Sequence, residues 1–241
     1  MKLVLSFILA LGACTGSETG NGYNDVALEM RAFNDLETLF ALDRDGARFD
    51  IEAANARVTR IDLYLPDGEP CSERMPPGEV AADHLSCDAN ERMLHLDGPW
   101  MVDLISGAFS PSLDALRIPE GLYTRVTVAI DAADDTPSFF VAGSVAPARE
   151  RLAWSLSLTR EAEADFVADM PFAIDDSVSA LSLLLDVRGW FSDLALADCI
   201  TSGAVPQVDG VYRLELSDKH CADVDKAVRK AIKDAGKVHK K

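Results

Sequence analysis

The sequence lacks the motifs that identify the common families of hydrolases. It has no Gly-x-Ser-x-Gly nucleophile elbow and no paired metalloprotease histidines. Close acidic pairs do occur, but among 40 acidic residues such pairs arise by chance and do not indicate a glycosidase. We therefore predict a non-enzymatic protein. The alternative is a secreted hydrolase whose site is built from scattered carboxylates.

Basic residues are scarce. Lys and Arg number 23 against 40 Asp and Glu, which gives a net charge of −17. Because so acidic a surface repels nucleic acid, we expect no nucleic-acid partner. The bases are also unevenly placed, since residues 218–241 hold eight bases and four acids. Such asymmetry can mark an interaction tail.

Hydrophobic runs long enough to span a bilayer are missing as well. The apolar run that opens the chain follows a single base, Lys2, and is typical of a secretory signal peptide. It ends in Leu11-Gly12-Ala13-Cys14, which resembles the lipobox of bacterial lipoproteins. The resemblance implies cleavage of residues 1–13 and a lipid on Cys14. The alternative is an ordinary signal peptide that contains a cysteine.

The residues after the predicted cleavage point are small and polar. Residues 14–24 are rich in Gly, Ser and Thr, so we expect a flexible tether between the lipid and the folded body. In bacterial lipoproteins an Asp after the lipidated cysteine signals retention at the inner membrane. Thr15 stands there, which implies the outer membrane. The predicted location is thus the cell envelope, with the membrane contacted through the lipid.

Cysteines are few, and their number is informative. Lipidation of one of the five leaves four, and an even number in an exported chain predicts two disulfides. Three pairings are possible, and we favour the local pairs Cys71–Cys87 and Cys199–Cys221. The alternative is metal binding, because His84 lies close to Cys87 and His220 adjoins Cys221.

Short runs of alternating apolar residues, separated by Pro, Gly and Asp, recur from residue 25 to residue 217. They predict a mainly β fold, specifically a β-sandwich of the carbohydrate-binding-like or immunoglobulin-like kind. The predicted strands lie at 26–33, 48–53, 57–65, 93–96, 100–105, 123–130, 139–141, 152–159, 181–187 and 211–216.

The period changes in residues 218–241. The apolar residues there fall at helical spacing and predict a basic, amphipathic C-terminal helix that ends near Gly236. We expect this helix to dock on the acidic body through its apolar stripe. The alternative is a free basic arm that reaches an anionic envelope polymer. The stripe consists of Val224, Val228, Ile232 and Ala235.

Two stretches resemble secreted bacterial domains of unknown function, the DUF4382 type. In the first, Val102–Ser106 is followed by the Pro-x-Gly-x-Tyr strand start of Ile118–Val126. The second is the apolar strand Leu181–Asp186, which ends in an acidic residue. The resemblance implies a β-sandwich at a cell surface and supplies no catalytic residues.

Two sets of residues are candidate ligand sites. Asp43, Asp45 and Glu52 fall at ligand positions of a calcium loop if Gly46 takes its turn position. The alternative is an Asp45-Gly46 turn between two strands. We predict no cofactor, with calcium as the alternative.

The second set is aromatic. Trp190 and Phe191 follow Arg188-Gly189 at a strand end, where exposed rings would form a ligand-facing patch. The alternative is that both rings fill the core. Together, these features predict a surface-tethered β domain that binds or scaffolds an envelope glycan or protein.

Overall fold

A computed structural model of the chain describes residues 22–33, 38–66, 70–75, 85–88, 92–114, 116–134, 136–147, 150–217, 221, 223–234 and 236–240. The predicted signal peptide, Cys14 and nearly all of the predicted tether lie outside these residues. The mainly β prediction is confirmed, because the described residues form one mixed sheet of 15 strands with a few short helices.

The strands are β1 (Tyr23–Phe33), β2 (Phe40–Leu42), β3 (Arg48–Tyr64), β4 (Leu85–Asp88), β5 (Met93–Asp103), β6 (Ala108–Ser110), β7 (Leu116–Pro119), β8 (Gly121–Ile130), β9 (Phe139–Val145), β10 (Leu152–Leu158), β11 (Ala162–Ile174), β12 (Ala180–Asp186), β13 (Gln207–Val208), β14 (Val211–Arg213) and β15 (Gly236–Lys240). The helices are α1 (Cys71–Arg74), α2 (Leu196–Thr201) and α3 (Val224–Lys233), and Leu214–Leu216 forms a 3-10 turn.

The long strand β3 organises the sheet. It pairs with β9 along its first half and with β8 along its second half, while β2 and β5 pair with it as well. The sequence predicted two separate strands here. The structure has a single one because irregularities in register, including one between Val58 and Arg60, let one strand change partners without ending.

Strand β5 also replaces two predicted strands. The Asp97-Gly98-Pro99 segment was predicted as a turn, yet it continues in the strand opposite the irregularity of β3. Gly98 packs closely there, because a Cβ on it would lie 2.8 Å from the Val58 carbonyl oxygen. The close approach of the two backbones therefore keeps this segment in the strand, although its composition favours a turn.

The end of the chain differs most from the prediction. The helix ends at Lys233, and Gly236–Lys240 then forms β15 in the interior of the sheet. Strand β15 runs antiparallel to β12 and meets β11 in a parallel pairing. The sheet therefore does not stop at residue 217, and Lys237 and Lys240 are part of the folded body.

Both favoured disulfides are present. Cys71 is bonded to Cys87 with Cα atoms 5.8 Å apart, and Cys199 to Cys221 with Cα atoms 5.7 Å apart. The second bridge joins α2 to the chain just before α3. Disulfides of this kind persist in oxidising compartments, so they fit an exported protein. His84 and His220, which the metal alternative needs, lie outside the described residues.

The apolar side chains of all the main strands form a single core cluster, which also takes in the buried face of α3. Trp154 lies in it with its ring edge-on to Phe49, as its alternating strand predicted. Among the described residues, no helix has the length and apolar composition that crossing a bilayer requires.

Candidate binding groove beside the C-terminal helix

Helix α3 is fixed by local sequence and by burial together. The Asp223 carboxylate caps its first turn by accepting a hydrogen bond from the Lys226 backbone N–H at 3.0 Å. Val224, Val228 and Ile232 are 2% exposed or less, so the predicted apolar stripe docks on the core. Ala235, its predicted fourth member, lies outside the described residues.

Docking of this stripe leaves the basic side chains of α3 on its outer surface. Lys226 and Lys230 are exposed, and Arg229 is paired with Asp225 one turn earlier at 2.9 Å. Lys233 lies 3.9 Å from Glu163 of β11. The side chains of Lys226 and Lys230 have no ion pair or hydrogen bond within the described part of the chain.

A groove of about 840 Å³ runs along this basic surface. One wall is α3. The opposite wall is the irregular part of β3 with the facing Asp97 of β5, together with the ends of the β8–β11 hairpin. The charged residues that line the groove are Arg60, Lys226, Arg229, Lys230 and Lys233, with Asp97, Asp131, Glu161 and Glu163.

The two walls of the groove differ in charge. The helical wall supplies four of the five bases, and the strand wall supplies all four acids. A ligand in the groove therefore meets ammonium donors on one side and carboxylate acceptors on the other. Anionic groups fit the first side, and hydroxyl groups fit the second.

A row of polar side chains crosses the sheet beside the groove. Ser86, His95, Asp62, Thr127 and Asp165 stand directly opposite one another in β4, β5, β3, β8 and β11. His95 Nδ1 lies 2.6 Å from Asp62 Oδ1, and Asp62 is only 4% exposed. The row is a strip of polar groups on the face opposite the apolar core.

Arg60 joins this row to the groove, because its Nε lies 3.0 Å from the Asp62 carboxylate while its side chain lines the groove. The Ser86 hydroxyl bonds to Asp97 at 3.4 Å. An Asp–His pair next to a serine has the residue types of a hydrolytic triad, but this hydroxyl is directed to a carboxylate.

The calcium candidates do not come together. Asp43 is 4% exposed, and its carboxylate accepts hydrogen bonds from the backbone N–H groups of Asp45, Ala47 and Ala197 at 3.1, 2.8 and 3.0 Å. The Glu52 carboxylate accepts hydrogen bonds from the Ser144 hydroxyl and the Arg151 guanidinium. Among the described residues, no group of three or more His, Cys, Asp or Glu side chains is placed to hold a metal ion.

The alternative interpretation of this segment, a turn between two strands, is correct. Asp45-Gly46 lies in the turn between β2 and β3, and Gly46 has a φ of +84°, which favours glycine. The buried carboxylate of Asp43 holds this turn and the start of α2 together. The segment is thus a structural junction, and the calcium hypothesis is not supported.

Trp190 and Phe191 do not form the predicted patch of exposed rings, and the alternative, that both rings fill the core, is correct. Trp190 is 1% exposed and Phe191 is fully buried, and both rings make edge-on contacts in the core, with Phe139 and Phe49 respectively. They are buried because the loop after β12 folds back over the core, placing Trp190 and Phe191 among the aromatic residues of β3, β9 and β10.

The groove was not predicted from the sequence, although the basic residues of its helical wall were identified there. The excess of Lys and Arg after residue 218 was visible, but the acids of the opposite wall are distant in sequence and meet α3 only in the folded chain. Asp62 and His95 each stand at an outward position of an alternating strand. That pattern was a signal for a polar sheet face, though not for their contact.

Fold and site together define a disulfide-bonded, mostly β domain with its charged groove beside a C-terminal helix. No protein-family model matches the chain, and no curated protein sequence matches it. Among solved structures, it is similar to MbnP from Methylosinus trichosporium, with a TM-score of 0.39 and 10% identity, over 90% of this chain and 99% of that chain. The function is therefore inferred from this chain's own side chains.

Proposed function

We propose that this protein is a lipid-anchored, non-enzymatic lipoprotein of the bacterial envelope whose β domain binds an anionic glycan in the groove beside α3. The observation that carries the proposal is the pair Lys226 and Lys230. Both ammonium groups line the groove without a partner among the described residues, in a chain that is otherwise strongly acidic.

The acidic strand wall favours a glycan over a simple polyanion. Asp97, Asp131 and Glu161 are hydrogen-bond acceptors, which suit sugar hydroxyls and repel further negative charge. A ligand with anionic groups along one edge and hydroxyls along the other complements both walls. Envelope glycans with acidic substituents have this chemistry.

The net charge of the whole protein does not prevent such binding. At physiological ionic strength the Debye length is about 8 Å, so exposed acids on distant surfaces are screened. A ligand in the groove therefore interacts mainly with the charges that line it, which are five bases and four acids. We expect moderate affinity that weakens as salt rises, since surface ion pairs are screened by salt.

The groove is tested with the variant Lys226→Gln/Lys230→Gln. We expect affinity for short dextran sulfate, measured by calorimetry at low salt, to fall by roughly tenfold, corresponding to about 1.4 kcal/mol. A matched control is Arg44→Gln/Arg117→Gln, which removes the same charge away from the groove and should retain affinity.

Three ligands separate the contributions of charge and sugar. Dextran sulfate should bind more tightly than neutral dextran, which lacks the anions, and more tightly than polyphosphate, which lacks the hydroxyls. Equal affinity of the double variant and wild type would refute the groove. Equal affinity for polyphosphate and dextran sulfate would refute the role of the acidic wall.

The anchor is tested with Cys14→Ser. Without the thiol no diacylglycerol can be attached, so the protein should move from the detergent-rich to the aqueous phase, or persist as unprocessed precursor. Phase partitioning and an intact-mass measurement of the wild-type protein check this. A serine variant that still partitions with detergent would show that the membrane contact does not depend on Cys14.

A further inference from the structure

A second hollow lies on the other side of α3. It is a cleft of about 330 Å³ between the helix, the loop that follows β12 and the start of β15. Its lining residues are Asp186, Gly189, Trp190, Ser192, Asp193, Ala227, Lys230, Ala231, Asp234, Gly236 and Lys237. Only Lys230 is shared with the groove.

Small residues form part of the wall of the cleft. Ala227 and Ala231 form its helical wall, one turn apart on α3. Gly236 must remain small, since a Cβ there would lie 2.1 Å from the Asp165 carbonyl oxygen. A cleft of this size is at the lower limit of small-molecule sites and suits a ligand of amino-acid or dipeptide size.

Trp190 borders the cleft and carries an unpaired donor. Its ring is 1% exposed, it lines the cleft, and its indole N–H is buried without a hydrogen-bond partner among the described residues. Buried indole N–H groups usually have an acceptor, because leaving one unpaired costs free energy. An acceptor group of a bound molecule would satisfy it.

The charges of the cleft fall into engaged and free groups. Asp186 is engaged by Arg188, whose Nε lies 2.9 Å from Oδ1. Burial raises the pKa of the Asp186 carboxyl, but the hydrogen bonds and charge of Arg188, with the charge of Lys237, outweigh burial and lower that pKa. The ammonium of Lys237 also lies 5.1 Å from the centre of the Phe33 ring.

The other charged residues of the cleft are Lys230, Asp193 and Asp234. All three are exposed, and none has an ion pair in the described part of the chain. One free ammonium and two free carboxylates line one small cleft with an aromatic wall. We propose that the cleft binds a small zwitterion of the amino-acid class. Lys230 receives its carboxylate, Asp193 and Asp234 its ammonium, and Trp190 with the two alanines its apolar side chain.

The probe is leucine, followed through the indole N–H resonance of Trp190 in a nitrogen-labelled protein. We expect a saturable shift of that resonance. N-acetylleucine, which lacks the ammonium, and leucinamide, which lacks the carboxylate, should each bind at least roughly tenfold more weakly, because each leaves one charged group of the cleft unpaired.

Two variants test the location. Asp193→Asn/Asp234→Asn changes only exposed carboxylates. It should lower the affinity for leucine roughly tenfold and leave the fold intact. Ala231→Leu should block the cleft sterically. The groove variant Lys226→Gln/Lys233→Gln should bind leucine like wild type, so failure of the cleft and failure of the groove are distinguishable.

Three results would overturn the proposal. The first is the absence of a saturable Trp190 shift with leucine. The second is equal binding of N-acetylleucine, which would show that the ammonium is not recognised. The third is unchanged leucine affinity in both cleft variants, which would place the site elsewhere.

Discussion

A chain ended after Asp234 should lose most of its stability, although it lacks only seven of its 241 residues. The truncation removes β15, which lies inside the sheet between β11 and β12. Residues 181–185 of β12 pair with β15 along its entire length, and every second residue of that stretch is a fully buried leucine. The loss exposes two strand edges and apolar surface.

The size of the effect follows from how small the net stability of a domain is. Native proteins of this size are stable by about 5–15 kcal/mol, and removing an internal strand costs a large part of that. We expect a lower urea midpoint, a lower melting temperature and binding of a hydrophobic dye. The unpaired edges should also promote aggregation.

The matched control keeps the strand and removes its charge. In Lys237→Thr/Lys240→Thr both side chains are exposed, and threonine suits a strand. We expect a change of at most about 1 kcal/mol in the free energy of unfolding, as for surface charges in general. A truncated chain as stable as wild type, or a control as unstable as the truncation, would show that pairing by β15 is not what holds the end of the chain.

Strand β15 could not be predicted because its own residues give no local signal for a strand. Residues 236–240 contain one apolar residue, Val238, and follow a helix, so local pattern favours a polar tail. The strand is instead stabilised by backbone pairing with residues more than 50 positions earlier. Strands β1, β8, β10 and β12 carry their own alternation and were found.

Other differences between prediction and structure have separate causes. Strand β11 was not predicted, because acids such as Glu163 and Asp165 stand at its outward positions and obscure a short apolar series that includes Ala164 and Phe166. The docked helix, by contrast, was predictable from its stripe alone. The groove needed the docked helix and the distant β8–β11 hairpin together, so its two walls were not visible in any single segment.

Asp43→Ala should be strongly destabilising. The change removes the carboxylate that accepts three backbone hydrogen bonds, two in the turn before β3 and one, from Ala197, in the first turn of α2. Asp43 and Ala197 are buried, so the freed Ala197 N–H is left without a partner and away from water. Bonds to a charged acceptor contribute about 1.5–3 kcal/mol each, and we expect a total loss of about 3–5 kcal/mol.

Asp45→Ala is the matched control, two residues away and once grouped with Asp43 as a calcium ligand. Its carboxylate is exposed and lies 3.5 Å from Arg44, so we expect a loss of at most about 0.5 kcal/mol. Urea unfolding with calcium or with chelator completes the test. If Asp43 acts by accepting hydrogen bonds from backbone N–H groups, Asp43→Ala should lower the free energy of unfolding equally with calcium and with chelator. Calcium-dependent stability that both variants abolish equally would show instead that the two carboxylates share an ion, and it would refute the junction.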